Sequence, residues 1–219
     1  MSARNRYTCG WIRNIYQQLF SYFGPQHWWP AESPFEVIIG AILTQNTAWT
    51  NVEQAISRLK QKQLLTPQKL YRIKTKTLAG LIRSCGYYNI KAARLKSFLQ
   101  ALFCDFGGCL KSLFSLSTPK LREKLLQING IGPETADSIL LYAAERPVFV
   151  VDAYTKRLLL RHRLIKNKYS YQQIQDLFTK NLPRNLKMFN EYHALIVRLG
   201  KEYCRSQARC QLCPLNRKG

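Results

Sequence analysis

Apolar residues recur at helical spacing along almost the whole of this 219-residue chain, and this periodicity constrains the fold more than any other feature. The stretch 35–43 is apolar on nearly every side, as expected of a buried helix, and Ser33 followed by Pro34 is a favourable helix start. The same spacing continues at Val52, Ala55, Ile56 and Leu59. Only residues 148–151 read as extended, and four residues are too few to build a sheet. We therefore predict an all-α fold.

Prolines and glycines separate most of the remaining helices that the periodicity predicts. These helices span residues 67–73, 77–84, 90–106, 119–127, 133–144, 152–162, 171–181 and 186–203. No low-complexity segment or internal repeat interrupts them. With 46% hydrophobic residues, the chain can supply a real core and should be a folded protein.

The charge of the chain is strongly positive. Lysine and arginine outnumber aspartate and glutamate by 34 to 12, for a formal net charge of +22. Eleven of the basic residues fall between Glu53 and Asp105 with no acid among them. This excess favours a polyanionic partner, bound through phosphate contacts and therefore sensitive to salt. A solvated helix face is the alternative explanation for any single run of charge.

A glycine-spaced turn precedes the predicted helix at 133–144. Gly130 and Gly132 flank Ile131, and Pro133 stands in the first turn of the helix. Glycines allow the backbone to turn sharply and to bring its N–H groups close to a phosphate, which the helix N-terminus also attracts. Most glycine pairs of this kind are simple turns, so the surrounding sequence must distinguish a phosphate-binding turn from a simple one.

An isolated carboxylate, Asp152, follows the apolar run Val148 to Val151. The usual role of such an aspartate is to cap the N-terminus of the helix that follows it. A carboxylate fixed beside apolar residues can also serve in catalysis, where it stabilises positive charge or activates water.

The hairpin and the aspartate together match a known family. The matching positions are Leu126, Ile128, Gly130, Ile131, Gly132, Thr135 and Ala136, followed by Val150, Val151 and Asp152. They resemble the helix-hairpin-helix and Gly/Pro-Asp signature of base-excision DNA glycosylases of the endonuclease III type. The resemblance extends over most of the chain, through 34–36, 43–47 and 86–92 to the C-terminal cysteines.

This resemblance implies two helical lobes. We expect residues 34–146 to form a six-helix barrel that contains the hairpin, and residues 1–33 and 147–219 to form a second lobe. The active-site cleft would lie between the two lobes. Gly130, Ile131, Gly132 and Thr135 would bind the DNA backbone. Asp152 would both cap its helix and stabilise the oxocarbenium charge that develops when the N-glycosidic bond breaks.

The residue that follows Pro133 bears on the type of glycosylase. Endonuclease III has a lysine at that position, which attacks the sugar to form a Schiff base, whereas this chain has Glu134. A carboxylate cannot form an imine, so we predict a monofunctional glycosylase. Lys156 is an alternative amine for a bifunctional glycosylase/lyase acting on oxidised pyrimidines, although a phosphate contact is the commoner role of such a lysine. A non-catalytic helix-hairpin-helix DNA-binding protein is the rival of another class.

The tryptophans suggest a substrate. Trp28, Trp29 and Pro30 ahead of the helix at Pro34, with Trp49 beyond it, resemble the bacterial 3-methyladenine DNA glycosylase III branch. By that resemblance these four residues line the pocket for the flipped base. Electron-rich rings suit a cationic alkylated purine such as 3-methyladenine, which is also a good leaving group. The alternative is that the tryptophans are core residues.

Gln45 and Asn46 fall where relatives insert a polar side chain into the gap left by the flipped nucleotide. One of the two is expected to fill this gap, because unstacking must be offset by new contacts. Capping of a helix end by an amide is the alternative. The expected partner is damaged double-stranded DNA, bound by a monomer.

Cys204, Cys210 and Cys213 form a C-x5-C-x2-C arrangement near the C-terminus. It resembles the iron-sulfur loop of the endonuclease III group, whose 4Fe-4S cluster needs a fourth thiolate where this chain has Gly219. The alternatives are a truncated chain, a fourth ligand such as Cys9, a three-iron cluster, a decayed loop, or zinc.

No apolar stretch is long enough for a membrane span, and residues 1–26 contain no continuous signal-peptide core. We therefore expect a cytoplasmic, nucleoid-associated protein with no membrane partner.

Overall fold

The computed structural model describes residues 3–216, with side chains from residue 10 onwards. Within this range the chain is helical and forms no strand, which confirms the all-α prediction. The helices are α1 (Ala3–Phe23), α2 (Pro34–Leu43), α3 (Trp49–Gln61), α4 (Pro67–Arg72), α5 (Thr75–Leu81), α6 (Tyr88–Phe106), α7 (Leu110–Phe114), α8 (Thr118–Leu126), α9 (Pro133–Ser138), α10 (Ala153–Arg161), α11 (Tyr171–Asn181) and α12 (Leu186–Glu202). Across the described residues, no helix is long and apolar enough to cross a membrane.

The chain divides into two compact units. One, which we call the terminal unit, consists of Met1–Pro30 and Pro147–Gly219, and the other, the hairpin unit, consists of Ala31–Arg146. Each unit has a core of its own.

The terminal unit packs α1 against α11 and α12, and α12 against α10. Its centre is aromatic, because the ring of Phe149 stacks on Phe178 at 3.8 Å and meets the edge of Tyr192. The buried hydroxyl of Tyr192 donates a hydrogen bond to the carbonyl of Ile12 at 2.8 Å. Helix α1 is absent from the sequence-based prediction, although its buried residues Ile12, Ile15 and Leu19 do follow helical spacing.

In the hairpin unit, α2 is surrounded by other helices. It contacts α3, α6, α9 and a π-helical turn, Ile139–Ala143, and all of its residues from Phe35 to Leu43 are buried. Its apolar residues on every side are the sequence signature of such a helix. Ser33 caps it as predicted, since its hydroxyl accepts a hydrogen bond from the N–H of Glu36 at 3.2 Å.

The predicted helix at 133–144 is α9 followed by the π-helical turn. With α8 it forms the hairpin, and a buried ion pair fastens the two helices together. Arg122 Nε and Nη2 donate to the two carboxylate oxygens of Asp137 at 2.7 and 3.1 Å, and Asp137 is 0% exposed. A fork-to-fork pair of this kind fixes orientation as well as distance.

Candidate active site

Asp152 ends a buried, extended segment at residues 148–151. The segment forms no strand, and side chains of α11 satisfy its backbone instead: Gln175 Nε2 donates to the carbonyl of Phe149 at 2.7 Å, and the N–H of Val151 donates to the Tyr171 hydroxyl at 3.2 Å. Asp152 then caps α10, because its Oδ1 accepts a hydrogen bond from the N–H of Thr155 at 2.7 Å. The capping role considered from the sequence is therefore present.

The second oxygen of Asp152 faces a histidine. Its Oδ2 lies 3.6 Å from Nε2 of His193 on α12, and the two side chains are 11% and 7% exposed. Burial by itself raises the pKa of Asp152, but His193 and the N–H of Thr155 outweigh burial and leave the pKa below its ordinary value. The arrangement favours the anionic form of a carboxylate that is largely shielded from solvent. His193 is not predicted from the sequence, where its only signal is a lone histidine in the apolar run of α12.

Trp28 and Trp29 lie in the terminal unit, as Asp152 does. Both residues are partly exposed, although their indole Nε1 atoms are buried, and the ring centroids are 6.1 Å apart in an edge-to-face arrangement. Lys201 Nζ lies 5.4 Å from the centroid of Trp28. Pro30, next in the segment, is exposed.

Side chains of α12 hold the segment that carries these tryptophans. Glu191 Oε1 accepts a hydrogen bond from the N–H of Gln26 at 2.7 Å, and Arg198 Nη1 donates to the carbonyl of Phe23 at 3.3 Å. The helix that bears His193 therefore also anchors the tryptophan segment, which only the tertiary structure reveals.

Trp49 belongs to the hairpin unit and begins α3. Its indole N–H donates to Oε1 of Glu53 at 2.7 Å. A shared base pocket of Trp49 with Trp28, Trp29 and Pro30 stays a prediction.

The two glycines of the hairpin turn, residues 128–133, differ in conformation and in the space around them. Gly130 has φ +87°, and a Cβ added there would lie 2.2 Å from Cγ of Arg94. It is therefore required both for its conformation and for space. Gly132 stands at the N-cap of α9 with φ −90°, and Ile131 between them is buried. The predicted DNA contact Thr135 is also buried, in the first turn of α9.

Loop 44–48 follows α2 and brings Gln45 to this hairpin turn, 85 residues away in sequence. Gln45 Nε2 donates to the carbonyl of Gly130 at 3.0 Å and to Oγ1 of Thr135 at 2.9 Å. Asn46 differs from it, because its side chain is exposed and its φ is +52°. The two candidates for the inserted side chain therefore have different environments.

A buried lysine connects loop 44–48 to the turn before α6. Lys91 is 1% exposed, and its Nζ donates to the carbonyls of Leu43 and Cys85 at 2.8 Å each and to the hydroxyl of Thr47. Tyr87, two residues after Cys85, is 72% exposed and has φ +44°. The exposed ring and the exposed Asn46 amide thus stand on segments that share one anchor. Neither the exposure of Tyr87 nor the burial of Lys91 is predicted from the sequence.

Two predicted residues stand at exposed positions. Lys156 lies one turn after Asp152 on α10, and Glu134 lies in the first turn of α9. Their exposure is compatible with contacts to an external ligand such as DNA.

The three C-terminal cysteines border one cavity of about 140 Å³ in the terminal unit. Arg161 Nη1 donates to Sγ of Cys204 at 3.2 Å. The pKa of Cys213 is raised, mainly because the thiol is buried and also because Cys204 and Cys210 lie nearby. Three thiols around one cavity are the donor type that iron-sulfur centres and zinc require. Among the described residues, however, no three His, Cys, Asp or Glu side chains are arranged as metal ligands. The side chain of Cys9, and Gly219, lie outside the described residues.

Comparison with known proteins places the chain in a family. The family described as HhH-GPD superfamily base excision DNA repair protein matches residues 39–184. A Methanocaldococcus jannaschii protein, provisionally named a DNA repair glycosylase, is 49% identical over 93% of this chain and 93% of its own length. Endonuclease III of Thermotoga maritima is 29% identical over 82% of this chain and 79% of its own length.

A solved structure gives the same result for the fold. The crystal structure of H. pylori 3-methyladenine DNA glycosylase bound to 1,N6-ethenoadenine superposes with a TM-score of 0.76 and 28% identity, over 89% of this chain and 97% of that one. The resemblance inferred from the hairpin, the aspartate and the tryptophan segment is confirmed. The chain belongs to the HhH-GPD superfamily of base excision DNA repair proteins.

Proposed function

We propose that this protein is a monofunctional DNA glycosylase that flips an alkylated purine such as 3-methyladenine out of the duplex and hydrolyses its N-glycosidic bond. The observation that carries the proposal is the carboxylate of Asp152 at the start of α10, 11% exposed and 3.6 Å from His193, in the same unit as the partly exposed Trp28 and Trp29.

Asp152 supplies what hydrolysis of an N-glycosidic bond requires. As the bond from C1′ to the base breaks, positive charge develops on the sugar, and a carboxylate in a dry site stabilises that charge far better than one in water. Water then adds to C1′ and gives up a proton, which Asp152 would accept. The bonding electrons leave with the base.

Glu134 supports the proposal of monofunctional hydrolysis. A lyase needs an amine that attacks C1′, and a carboxylate at this position cannot form the imine. The similarity to endonuclease III of Thermotoga maritima favours a second candidate, a bifunctional glycosylase/lyase for oxidised pyrimidines that uses Lys156 as the amine.

Alkylated purines suit the tryptophan segment. Their positive charge weakens the glycosidic bond and is attracted by the face of an indole ring. The similarity to the H. pylori 3-methyladenine enzyme supports this substrate class. We assign Trp28, Trp29, Pro30 and Trp49 to the base pocket on this basis.

DNA contacts are assigned to the hairpin turn and to loop 44–48. The backbone of Gly130, Ile131 and Gly132 would bind a phosphate, and one of Gln45 and Asn46 would enter the duplex. Exposed Lys156 would add a phosphate contact near Asp152, and the exposed ring of Tyr87 can stack on a base. The partner is damaged double-stranded DNA, bound by a monomer.

We assign Cys204, Cys210 and Cys213 to an iron-sulfur centre with a structural role. Such a centre, when bound, would tie the C-terminal loop together through its thiolate ligands. The assignment rests on the three thiols around one cavity, and no step of the hydrolysis depends on it.

The test is release of free base from alkylated duplex DNA at low salt, measured by chromatography for the native protein and for Asp152→Asn. Asn retains the capping ability of Asp, so the variant isolates the loss of charge. Release of 3-methyladenine that falls by about a hundredfold or more in the variant is the expected result. Equal release by both proteins would remove Asp152 from the mechanism.

Borohydride trapping separates the two enzymatic candidates. Borohydride reduces an imine to a stable covalent adduct, so a bifunctional enzyme becomes linked to its DNA and a monofunctional one does not. An adduct that disappears in Lys156→Gln would establish the second candidate. A protein that binds DNA but releases no base, with Asp152→Asn unchanged in binding, would instead be the non-catalytic type.

A further inference from the structure

Residues 149–151 lead into Asp152 as a buried, extended segment, and the described part of the chain contains no strand that could pair with them. Buried backbone groups nevertheless need hydrogen-bond partners. Helix α11 of the same unit supplies them, because Gln175 Nε2 donates to the carbonyl of Phe149 at 2.7 Å and the N–H of Val151 donates to the Tyr171 hydroxyl at 3.2 Å. Side chains of one helix therefore replace a neighbouring strand.

The residues that contact this segment lie on one face of α11. Tyr171, Gln175 and Phe178 are spaced four and three residues apart, which places them along one side of a helix. The ring of Phe178 stacks on that of Phe149 at 3.8 Å, with only 7° between the ring planes. This face of α11 thus contacts the segment through a ring, a carbonyl and an N–H.

The two polar residues on this face are themselves held in place. Gln175 is 5% exposed, and its Oε1 accepts a hydrogen bond from Nε2 of Gln172 at 3.2 Å. Tyr171 directly follows Ser170, which forms a reciprocal capping box with Gln173 at the start of α11. A capping box fixes the entry of the chain into a helix. The contacts with the segment are therefore made from fixed positions.

These contacts end one residue before the carboxylate. Asp152 continues the extended backbone with φ −105° and ψ −177°, and its two oxygens face the N–H of Thr155 and Nε2 of His193. A displacement of Val151 would move both oxygens together. A misplacement of a reacting group by about 1 Å can slow a reaction by about a hundredfold.

We infer that the face of α11 formed by Tyr171, Gln175 and Phe178 positions Asp152 for the reaction, by fixing the backbone of residues 149–151. Tyr171 and Gln175 are positioning residues, since they act through this backbone. The inference rests on the proposed function in that Asp152 is taken as the catalytic carboxylate.

Two substitutions at different positions test it, so that a failure of one variant to fold leaves the other. Tyr171→Phe removes only the hydroxyl, and Gln175→Leu removes the amide while retaining most of the side-chain volume. Single-turnover release of 3-methyladenine is measured over a series of enzyme concentrations. The rate at saturating enzyme should fall about tenfold or more. The enzyme concentration that gives half of this rate should change by less than about twofold, because DNA binding is unaffected.

Tyr192→Phe is the matched control. It makes the same chemical change in the same unit, and it removes a buried hydrogen bond to the carbonyl of Ile12 at 2.8 Å. Tyr192→Phe should lower the melting temperature but leave the saturating rate unchanged when all proteins are compared well below their melting temperatures. If Tyr192→Phe slows base release as much as Tyr171→Phe does, general destabilisation explains the effect and the inference is overturned.

A second measurement does not depend on base release. Burial raises the pKa of Asp152, but His193 and the N–H of Thr155 outweigh it and leave the pKa below its ordinary value. Carbon-detected NMR titration of this carboxyl should give a higher pKa in Tyr171→Phe and in Gln175→Leu, because a displaced carboxylate loses the contacts that lower it. Tyr192→Phe should leave it unchanged.

The two measurements separate this inference from the proposed function. If the native protein releases no base, the proposed hydrolysis fails, while the titration of Asp152 still shows whether α11 positions the carboxylate. A native pKa of Asp152 in both Tyr171→Phe and Gln175→Leu, with the folded state retained, would overturn the inference.

Discussion

At the scale of single residues, Asp152 combines two roles through its two oxygens. One oxygen accepts the N–H of Thr155 and fixes the side chain at the start of α10, and the other faces His193. The partial positive charge of the helix N-terminus favours the anion as well. The proposed stabilisation of a developing cation requires a carboxylate that is ionised and immobile, and this pair of contacts favours both conditions.

The pH dependence of Asp152 follows from its lowered pKa. Because the folded pKa lies below the unfolded value of about 3.9, the anion stabilises the fold above that pH, and this contribution is lost as the pH falls through the folded pKa. Base release should therefore persist below the ordinary carboxyl range. In His193→Gln the pKa of Asp152 should rise, which moves the acid limb of single-turnover base release to higher pH.

His162→Gln is the control for this prediction. The ring centroids of His162 and Trp11 are 4.9 Å apart. Replacement of His162 should leave the acid limb of base release at the same pH as in the native protein. An acid limb that does not move in His193→Gln would show that His193 does not act on Asp152.

At the scale of elements, the hairpin depends on contacts that position its turn rather than on helix propensity. Helix α9 is only six residues long before the π-helical turn, too short to be stable alone. The Arg122–Asp137 pair holds α9 to α8, Arg94 packs against Gly130 in the turn, and the Gln45 amide bonds to both Gly130 and Thr135.

The two hairpin glycines should respond differently to a methyl group. Gly130→Ala places a Cβ at φ +87° and against Arg94, so it should lower the free energy of unfolding by more than about 1 kcal/mol and weaken DNA binding. Gly132→Ala, with φ −90° and nothing within 4 Å of its Cβ, should cost little stability. Chemical denaturation measures both, and equal effects would contradict this account of the turn.

The buried ion pair between α8 and α9 should matter far more than an exposed one. Asp137→Asn leaves Arg122 facing a neutral partner in a buried site and should lower the free energy of unfolding by about 3 kcal/mol. Asp176→Asn removes a solvent-exposed pair with Lys180 and should cost less than about 1 kcal/mol. Urea titration measures the free energy of unfolding of the two variants. Similar losses would show that burial does not determine how much the Arg122–Asp137 pair stabilises the fold.

At the scale of the whole molecule, the chain forms two units, and one of them joins both ends of the sequence. The terminal unit packs α1 against α11 and α12, which come more than a hundred residues later, while the hairpin unit is a continuous segment. Contacts of such long range require closure of a long loop before they stabilise anything. The net charge of +22, by contrast, acts on any polyanion without a specific contact.

DNA affinity should therefore fall steeply with salt. Between about 50 and 200 mM salt, binding to an undamaged duplex should weaken by about 10³-fold or more if six or more phosphates are contacted. Lys156→Gln should reduce the slope of log K against log salt by about 1, as expected for one lost phosphate contact. Fluorescence anisotropy over a salt series measures the slope, and a native slope near zero would exclude phosphate-dominated binding.

The sequence by itself determined the features that depend on neighbouring residues. Helical periodicity is local, so α2, α6, α11 and α12 were predicted within a few residues, and the capping role of Ser33 with them. The hairpin glycines and the aspartate were recognisable because they lie close together in sequence, so their residue types and spacing can be read directly. Helix α1 and the short α7 were missed, although the buried face of α1 carried a readable pattern.

Only the tertiary structure decided which side chains meet across long separations. The contact of His193 with Asp152, the junction of Gln45 with Gly130 and Thr135, and the Lys91 anchor join segments that are distant in sequence. Each is a polar contact in a buried or half-buried place, where the loss of water makes the partner obligatory. Periodicity reports that a face is buried, but the identity of the group buried against it depends on how the helices pack.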